Sequence, residues 1–144
     1  MSGYTTEERD GVKYWYLNGD LHREDGPAVE HTEGHKAWYL FGKLHREDGP
    51  AIERSDGTKW WYINGMRHRE DGPAIIFADG LKSWYINGIR HREDGPAIEI
   101  PDGSKQWYLN GLRMSKEDFI KKIKKKKFTA AEIASLKSYE IEVG

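Results

Sequence analysis

Apolar and polar positions alternate along most of this chain in short runs, and glycine breaks the runs at fixed intervals. In Lys59-Trp60-Trp61-Tyr62-Ile63, Lys59, Trp61 and Ile63 fall on one face and Trp60 and Tyr62 on the other, the period of a β-strand. Asn64-Gly65 follows. That pair is a strong hairpin signal, because a type I′ turn needs positive φ at both central residues. The chain returns through Met66-Arg67 into His68-Arg69-Glu70-Asp71-Gly72-Pro73-Ala74. Proline has no N–H for a ladder, which places Pro73 at a strand start or bulge. A short apolar strand and a second glycine turn, such as Ser55-Asp56-Gly57, complete the unit.

The His-Arg-Glu-Asp-Gly-Pro-Ala stretch begins at His22, His45, His68 and His91, each 23 residues after the last. Tryptophan recurs in step at positions 15, 38, 61, 84 and 107, each followed by tyrosine. Such regularity predicts one unit stacked several times. There are four complete units and a fifth that stops after Asn110-Gly111, with Met114 where histidine is expected. Two strands per unit, spaced about 4.8 Å apart, give a meander that advances roughly 10 Å per unit. Phe41-Gly42 lacks the asparagine, so the second unit's turn is expected to differ. The face with tryptophan, Leu/Ile and Val29, Ile52, Ile75 and Ile98 is expected to form the core. The tyrosine face, which also carries Ala28, Ala51, Ala74 and Ala97, is expected to be half buried.

The period changes after Met114. Ser115 with Asp118 resembles a helix cap, and Phe119, Ile120 and Ile123 share a helical stripe. Thr129-Ala130-Ala131-Glu132 is a capping box ahead of Ile133 and Leu136. The spacing predicts helices over 116–126 and 130–138 that cover the open end of the sheet, where an exposed edge would invite aggregation. The expected organisation is an N-terminal leader over 1–9, five hairpin repeats over 10–114 and a helical cap over 115–144. The fold class is mainly β, an antiparallel hairpin array with a small α-helical C-terminal cap.

Composition narrows the function. The formal net charge is −1, so no overall field directs the chain to nucleic acid or membrane. The charge is unevenly placed: residues 113–144 carry nine Lys and Arg against five Asp and Glu, and residues 1–112 carry fourteen against nineteen. There is no cysteine, which excludes disulfides and thiolate chemistry. The polar start and the absence of any long apolar run give the expectation of a soluble, cytoplasmic protein.

The Trp-Tyr-x-Asn-Gly…Gly-Pro-Ala unit resembles the variant MORN repeat, a short β-hairpin module. The form Trp-Tyr-Leu-Asn-Gly-x-Leu-His-Arg-Glu-Asp-Gly-Pro-Ala is similar to repeats in proteins of bacteria, their phages and large DNA viruses, and some bacterial variant-MORN proteins are labelled antitoxin-like. The resemblance covers about residues 10–112. It implies an elongated hairpin array that acts as a scaffold or binding surface, with no single activity attached. The charged His-Arg-Glu-Asp insert departs from the standard unit and argues against the lipid association proposed for some MORN proteins.

Two readings of the insert compete. In the first, Arg23, Arg46, Arg69 and Arg92 pair with acidic neighbours in adjacent units, and the aspartates accept backbone donors at the Gly-Pro turn. In the second, His22, Arg23, His45, Arg46, His68, Arg69, His91 and Arg92 line a groove for phosphates, with tyrosines as stacking platforms. Each arginine travels with two carboxylates, which weakens that field. One histidine per unit, without paired-histidine spacing, suggests neither a metal site nor a cofactor. Four identical copies also lack the differentiated environment of an active site, so no enzyme is expected.

Positions where the units differ are the better candidates for recognition. Trp60 stands beside Tyr62, Phe41 replaces an asparagine next to Tyr39, and Phe77 replaces a polar residue. Exposed aromatics of this kind anchor protein partners. The leading expectation is a non-enzymatic protein-interaction module, as a phage or bacterial inhibitor or antitoxin-like partner. The alternative is a sponge for a small signalling nucleotide. Nucleic acid and membrane are not expected as partners, and a homo-oligomer through an edge strand is a further expectation.

Overall fold

The computed structural model describes residues 2–126. The described residues form antiparallel hairpins followed by one helix over 116–126. The first unit contains β1 (Tyr4–Arg9), β2 (Val12–Leu17), β3 (Asp20–Leu21) and β4 (Val29–His31). The second contains β5 (Lys36–Ala37), β6 (Tyr39–Leu40), β7 (Lys43–Leu44) and β8 (Ile52–Glu53). The third repeats this as β9 (Lys59–Trp60), β10 (Tyr62–Ile63), β11 (Met66–Arg67) and β12 (Ile75–Ile76). The fourth follows as β13 (Lys82–Ser83), β14 (Tyr85–Ile86), β15 (Ile89–Arg90) and β16 (Ile98–Glu99). The fifth holds β17 (Lys105–Leu109) and β18 (Leu112–Met114).

The tryptophan is where each strand changes partner. The residues before it pair in a long sheet ordered β1-β2-β4-β5-β8-β9-β12-β13-β16-β17-β18. The residues after it close the Asn-Gly hairpin, as in β10 with β11. The Trp61 N–H donates to the Ala74 carbonyl in the long sheet at 2.7 Å, and its own carbonyl accepts from the His68 N–H at 3.1 Å. The same two bonds form at Trp15, Trp38 and Trp84. Neighbouring hairpins are then tied by Arg46 N–H to the Tyr62 carbonyl and by Gly65 N–H to the Leu44 carbonyl.

Asn18, Asn64, Asn87 and Asn110 have φ between 48° and 50°, as the type I′ turn requires. Phe41 adopts the same geometry at φ 50°, contrary to the expectation of a different turn. The hairpin register dictates the backbone there, and the side chain has to tolerate it. Within the expected leader, Tyr4–Arg9 forms β1 and pairs along the full length of β2. Its turn, Asp10-Gly11, has positive φ at both residues.

The core draws on both faces: Ile75 is buried as expected and the half-buried Trp61 packs against its cluster, but the alanines and tyrosines expected on the half-buried face lie deepest. Ala28, Ala51, Ala74 and Ala97 are completely buried, and Tyr62, Tyr85 and Ile75 are nearly so. The tryptophans of the repeat are only half buried. Ile75 pairs directly with Trp60 and Ser83, so these three side chains share one face. A period of two sorts side chains into two sets, and it does not say which set is inside when both are apolar. Here a guanidinium covers each repeat tryptophan from Trp15 to Trp84, which leaves the tyrosine and alanine side to pack.

The helix begins as expected. The Asp118 N–H donates to Ser115 Oγ at 3.1 Å, and Phe119 is buried. The second expected helix, 130–138, lies outside the described residues. No helix among the described residues is long and apolar enough to cross a membrane.

Candidate functional site

The His-Arg-Glu-Asp stretch is held by internal bonds in every copy. The Nδ1 atoms of His22, His45, His68 and His91 accept the N–H of Phe41, Asn64, Asn87 and Asn110, each at 2.9 Å. Each histidine therefore clips its hairpin to the turn of the next. The acceptor role fixes the proton on Nε2, which faces Glu24, Glu47, Glu70 or Glu93 at 3.4–3.6 Å.

The arginine is a clamp within its own unit, not the bridge to the adjacent unit that was expected. Arg46 Nε donates to Asp48 Oδ1 at 2.9 Å, and its Nη1 donates to the Pro50 carbonyl and to Glu53 Oε1, both at 3.1 Å. Its guanidinium lies 3.8 Å from the centroid of Trp38. Arg23 over Trp15, Arg69 over Trp61 and Arg92 over Trp84 repeat the stack at 3.8–4.0 Å. The glycine of Asp-Gly-Pro explains itself here: a Cβ on Gly72 would stand 2.8 Å from Arg69 Cζ. The aspartates accept the arginine Nε, where backbone donors were expected. Hydrogen bonding to Arg92 holds the Asp94 carboxyl below its ordinary range. The candidate phosphate ladder is thus occupied by its own chain.

One copy is incomplete. Glu30, Glu53 and Glu99 each give their unit's arginine a second carboxylate, at 3.5, 3.1 and 3.2 Å. The third unit has Ile76 at that position. Among the described residues, Arg69 keeps only Asp71 as an ion-pair partner. Ile76 also interrupts a cross-strand row that otherwise alternates charge through Lys13, Glu30, Lys36, Glu53, Lys59, Lys82, Glu99 and Lys105.

The aromatic candidates do not form one patch. Tyr62 is buried and Tyr39 half buried, so neither is a free anchor. Burial first, and the nearby Tyr62 second, push the Tyr39 hydroxyl pKa up. Trp60 and Phe77 sit together on the long sheet with ring centroids 6.3 Å apart. Phe41 is elsewhere, at a hairpin tip, 66% exposed and 4.4 Å from the His22 ring. Phe41 and, at 6.2 Å, the Tyr4 ring flank His22, which is the most buried of the four clip histidines.

Two rows on the hairpins carry more than the sequence reading assigned to them. On one face, Leu17, Leu40, Ile63, Ile86 and Leu109 pair with Asp20, Lys43, Met66, Ile89 and Leu112. The second partner is charged in the first two units and apolar in the last three, and Met66, Ile89 and Leu112 are 46%, 50% and 60% exposed. On the opposite face, Tyr62, Tyr85 and Tyr108 pair with Arg67, Arg90 and Arg113. Arg90 Nη2 donates to Tyr85 Oη at 2.6 Å, and the Arg90 and Arg67 guanidinium groups lie over the Tyr85 ring at 5.2 and 5.4 Å. The signal for both rows was in the sequence, as the two positions after each Asn-Gly that change from unit to unit.

Grooves run between successive units. One, of about 730 Å³, lies between Glu24 and Trp38; the next, of about 670 Å³, lies between Glu47 and Trp61. Exposed carboxylates rim both: Glu24, Asp25, Glu47, Asp48, Glu70 and Asp71. No family model, curated protein or solved structure matches this chain.

Proposed function

We propose that this chain is a non-enzymatic protein-interaction scaffold built from MORN-type hairpin repeats, acting in the cytoplasm of a bacterial or phage-infected cell as an inhibitor or antitoxin-like partner. The observation that supports it is the row of Met66, Ile89 and Leu112, apolar and exposed, one per unit on the same hairpin face. A solvated face of this kind has no structural use for three exposed aliphatic side chains in line, and contiguous apolar surface marks interaction sites. Its opposite pole is the clamped arginine ladder, whose internal bonds leave little for a phosphate to compete for. The test is affinity capture from bacterial lysate by the wild type, by Met66→Lys/Ile89→Lys and by Arg67→Ala/Arg90→Ala. A protein partner lost only with the Met66 and Ile89 changes supports the reading. A partner insensitive to them, or none, contradicts it.

A second reading has its own observation. Among the described residues, Arg67 and Arg90 have no carboxylate partner, and the buried Arg90 Nε has no hydrogen-bond acceptor. Arginines on tyrosine rings are the chemistry of a nucleotide binder. In this reading the sponge uses the Tyr62–Arg113 face and not the His-Arg ladder. A nucleotide recovered by mass spectrometry and lost with Arg67→Ala/Arg90→Ala would favour it.

A further inference from the structure

The helix over 116–126 lies against the same place on the fifth unit that the two grooves occupy on earlier ones. Lys116 Nζ stands over the Trp107 ring at 5.9 Å, and Lys126 Nζ hydrogen-bonds Glu93. Trp107 is the fifth-unit counterpart of Trp61 and Trp38, and Glu93 the fourth-unit counterpart of Glu47 and Glu24. Trp107 and Glu93, which Lys116 and Lys126 meet, hold the same two positions that flank each groove, where Arg46 and Arg69 already stand over the rings of Trp38 and Trp61. Between those contacts the helix buries Phe119 and exposes its lysines. Eleven helical residues span about 16 Å, long enough to reach from the tryptophan to the glutamate of the preceding unit.

From this arrangement we infer that the open Glu24–Trp38 and Glu47–Trp61 grooves are docking sites for a lysine-rich amphipathic helix of a partner protein, one that presents an aromatic side chain inward as Phe119 does. The inference rests on the protein-interaction reading above and names the partner's chemistry. Charge supports it. Glu24, Asp25, Glu47 and Asp48 rim the grooves and are far more exposed than Glu93, which the docked helix partly covers. The guanidinium groups of Arg23 and Arg46 are already engaged by Asp25 and Asp48 and by Glu30 and Glu53. With Asp25 and Asp48 paired to those arginines, Glu24 and Glu47 supply the remaining negative charge of the rim, which repels phosphate and attracts lysine. Trp38, Leu40, Trp61 and Ile63 supply the apolar floor.

The probe is a fluorescently labelled peptide with the sequence of residues 115–126, titrated with the full chain at low salt and read by anisotropy. Expected is saturable binding that weakens at least tenfold when Glu24→Lys/Glu47→Lys is introduced in the protein, and again when the phenylalanine of the peptide is replaced by alanine. Both glutamates are exposed, so the variant should keep its fold, and its far-UV circular dichroism checks this. Absence of binding overturns the inference, as does equal binding of a scrambled peptide of the same composition or survival of binding in the glutamate variant. A chain that sediments as a dimer, and that the peptide dissociates to monomer, assigns the grooves to the helix of a second copy and overturns the choice of occupant. Failure here is separable from failure of the broader reading: a captured partner lost with Met66→Lys/Ile89→Lys stands whether or not the peptide binds.

Discussion

Replacing Tyr85 by alanine should destabilise the chain by about 3–5 kcal/mol, the usual range for a buried large aromatic, and Trp61→Ala should cost roughly half as much. Tyr85 is 8% exposed and packs with Ala74 and Ile75. Its hydroxyl accepts from Arg90, and a hydrogen bond to a charged group contributes about 1.5–3 kcal/mol. Trp61 is half buried. Truncating it removes half of the transfer term for a large apolar side chain, about 1–1.5 kcal/mol. It also removes the surface under Arg69, 4.0 Å from the ring, worth about 0.5–1 kcal/mol. The assay is guanidinium unfolding followed by far-UV circular dichroism, with m-values compared, because an array that frays unit by unit would change its m-value. Tyr85→Phe isolates the hydroxyl and should lose only the Arg90 bond. A Trp61→Ala loss equal to or larger than that of Tyr85→Ala would refute the assignment of the tyrosine and alanine side as the core.

Phe41→Asn should raise stability by about 1 kcal/mol, because a bulky residue at positive φ costs on the order of 1–2 kcal/mol; a lower denaturation midpoint would mean that the His22 contact outweighs the strain. Gly72→Ala should destabilise by about 1–3 kcal/mol, as overpacking does, since the new Cβ meets Arg69; an unchanged midpoint would show that the clamp yields freely. Ile76→Glu should complete the third clamp and the charge row and raise stability by up to about 1 kcal/mol, a gain that shrinks in high salt; a gain unchanged by salt would contradict its electrostatic origin. The hydrogen bond from Lys126, then its charge, hold the Glu93 carboxyl below its ordinary range. A depressed carboxylate contributes above its unfolded pKa and loses that contribution as pH falls through the folded one. Helix docking, read from the Trp107 indole resonance, should therefore persist at neutral pH and weaken only below about pH 4.3; release above pH 5.5 would contradict the pairing.

The turns were the most legible part of this chain. Asn-Gly at positions 64–65, 87–88 and 110–111 specifies a backbone that only a few residues accept, and the 23-residue register carries that backbone through Phe41 as well. The helix start at Ser115 was legible for a similar reason, since a cap is a local bond. β1 was hidden because Tyr4–Arg9 is exposed throughout, so no alternation marks it; the Asp10-Gly11 pair was the available signal. The face assignment failed at Trp61, where the strand leaves one sheet for a hairpin and an arginine from its own unit replaces solvent. The histidine and arginine rows were visible as rows, but their use was not. Whether Arg46 meets a phosphate or Glu53 depends on a contact seven residues along that only the fold creates. The exposed aliphatic row was hidden in variation: Asp20, Lys43, Met66, Ile89 and Leu112 occupy one position, and only the exposure of the last three sets them apart.

On the proposed reading the partner meets the aliphatic hairpin face, while the ladder arginines stay engaged within their own units. Methyl-resolved NMR of the isoleucine- and methionine-labelled chain, titrated with the captured partner, tests it most directly. Shifts or broadening are expected at Ile63, Met66, Ile86 and Ile89, with the core methyl of Ile75 unmoved. Unmoved hairpin methyls, with changes confined to the Tyr62, Tyr85 and Tyr108 rings, would contradict it and transfer binding to the arginine face.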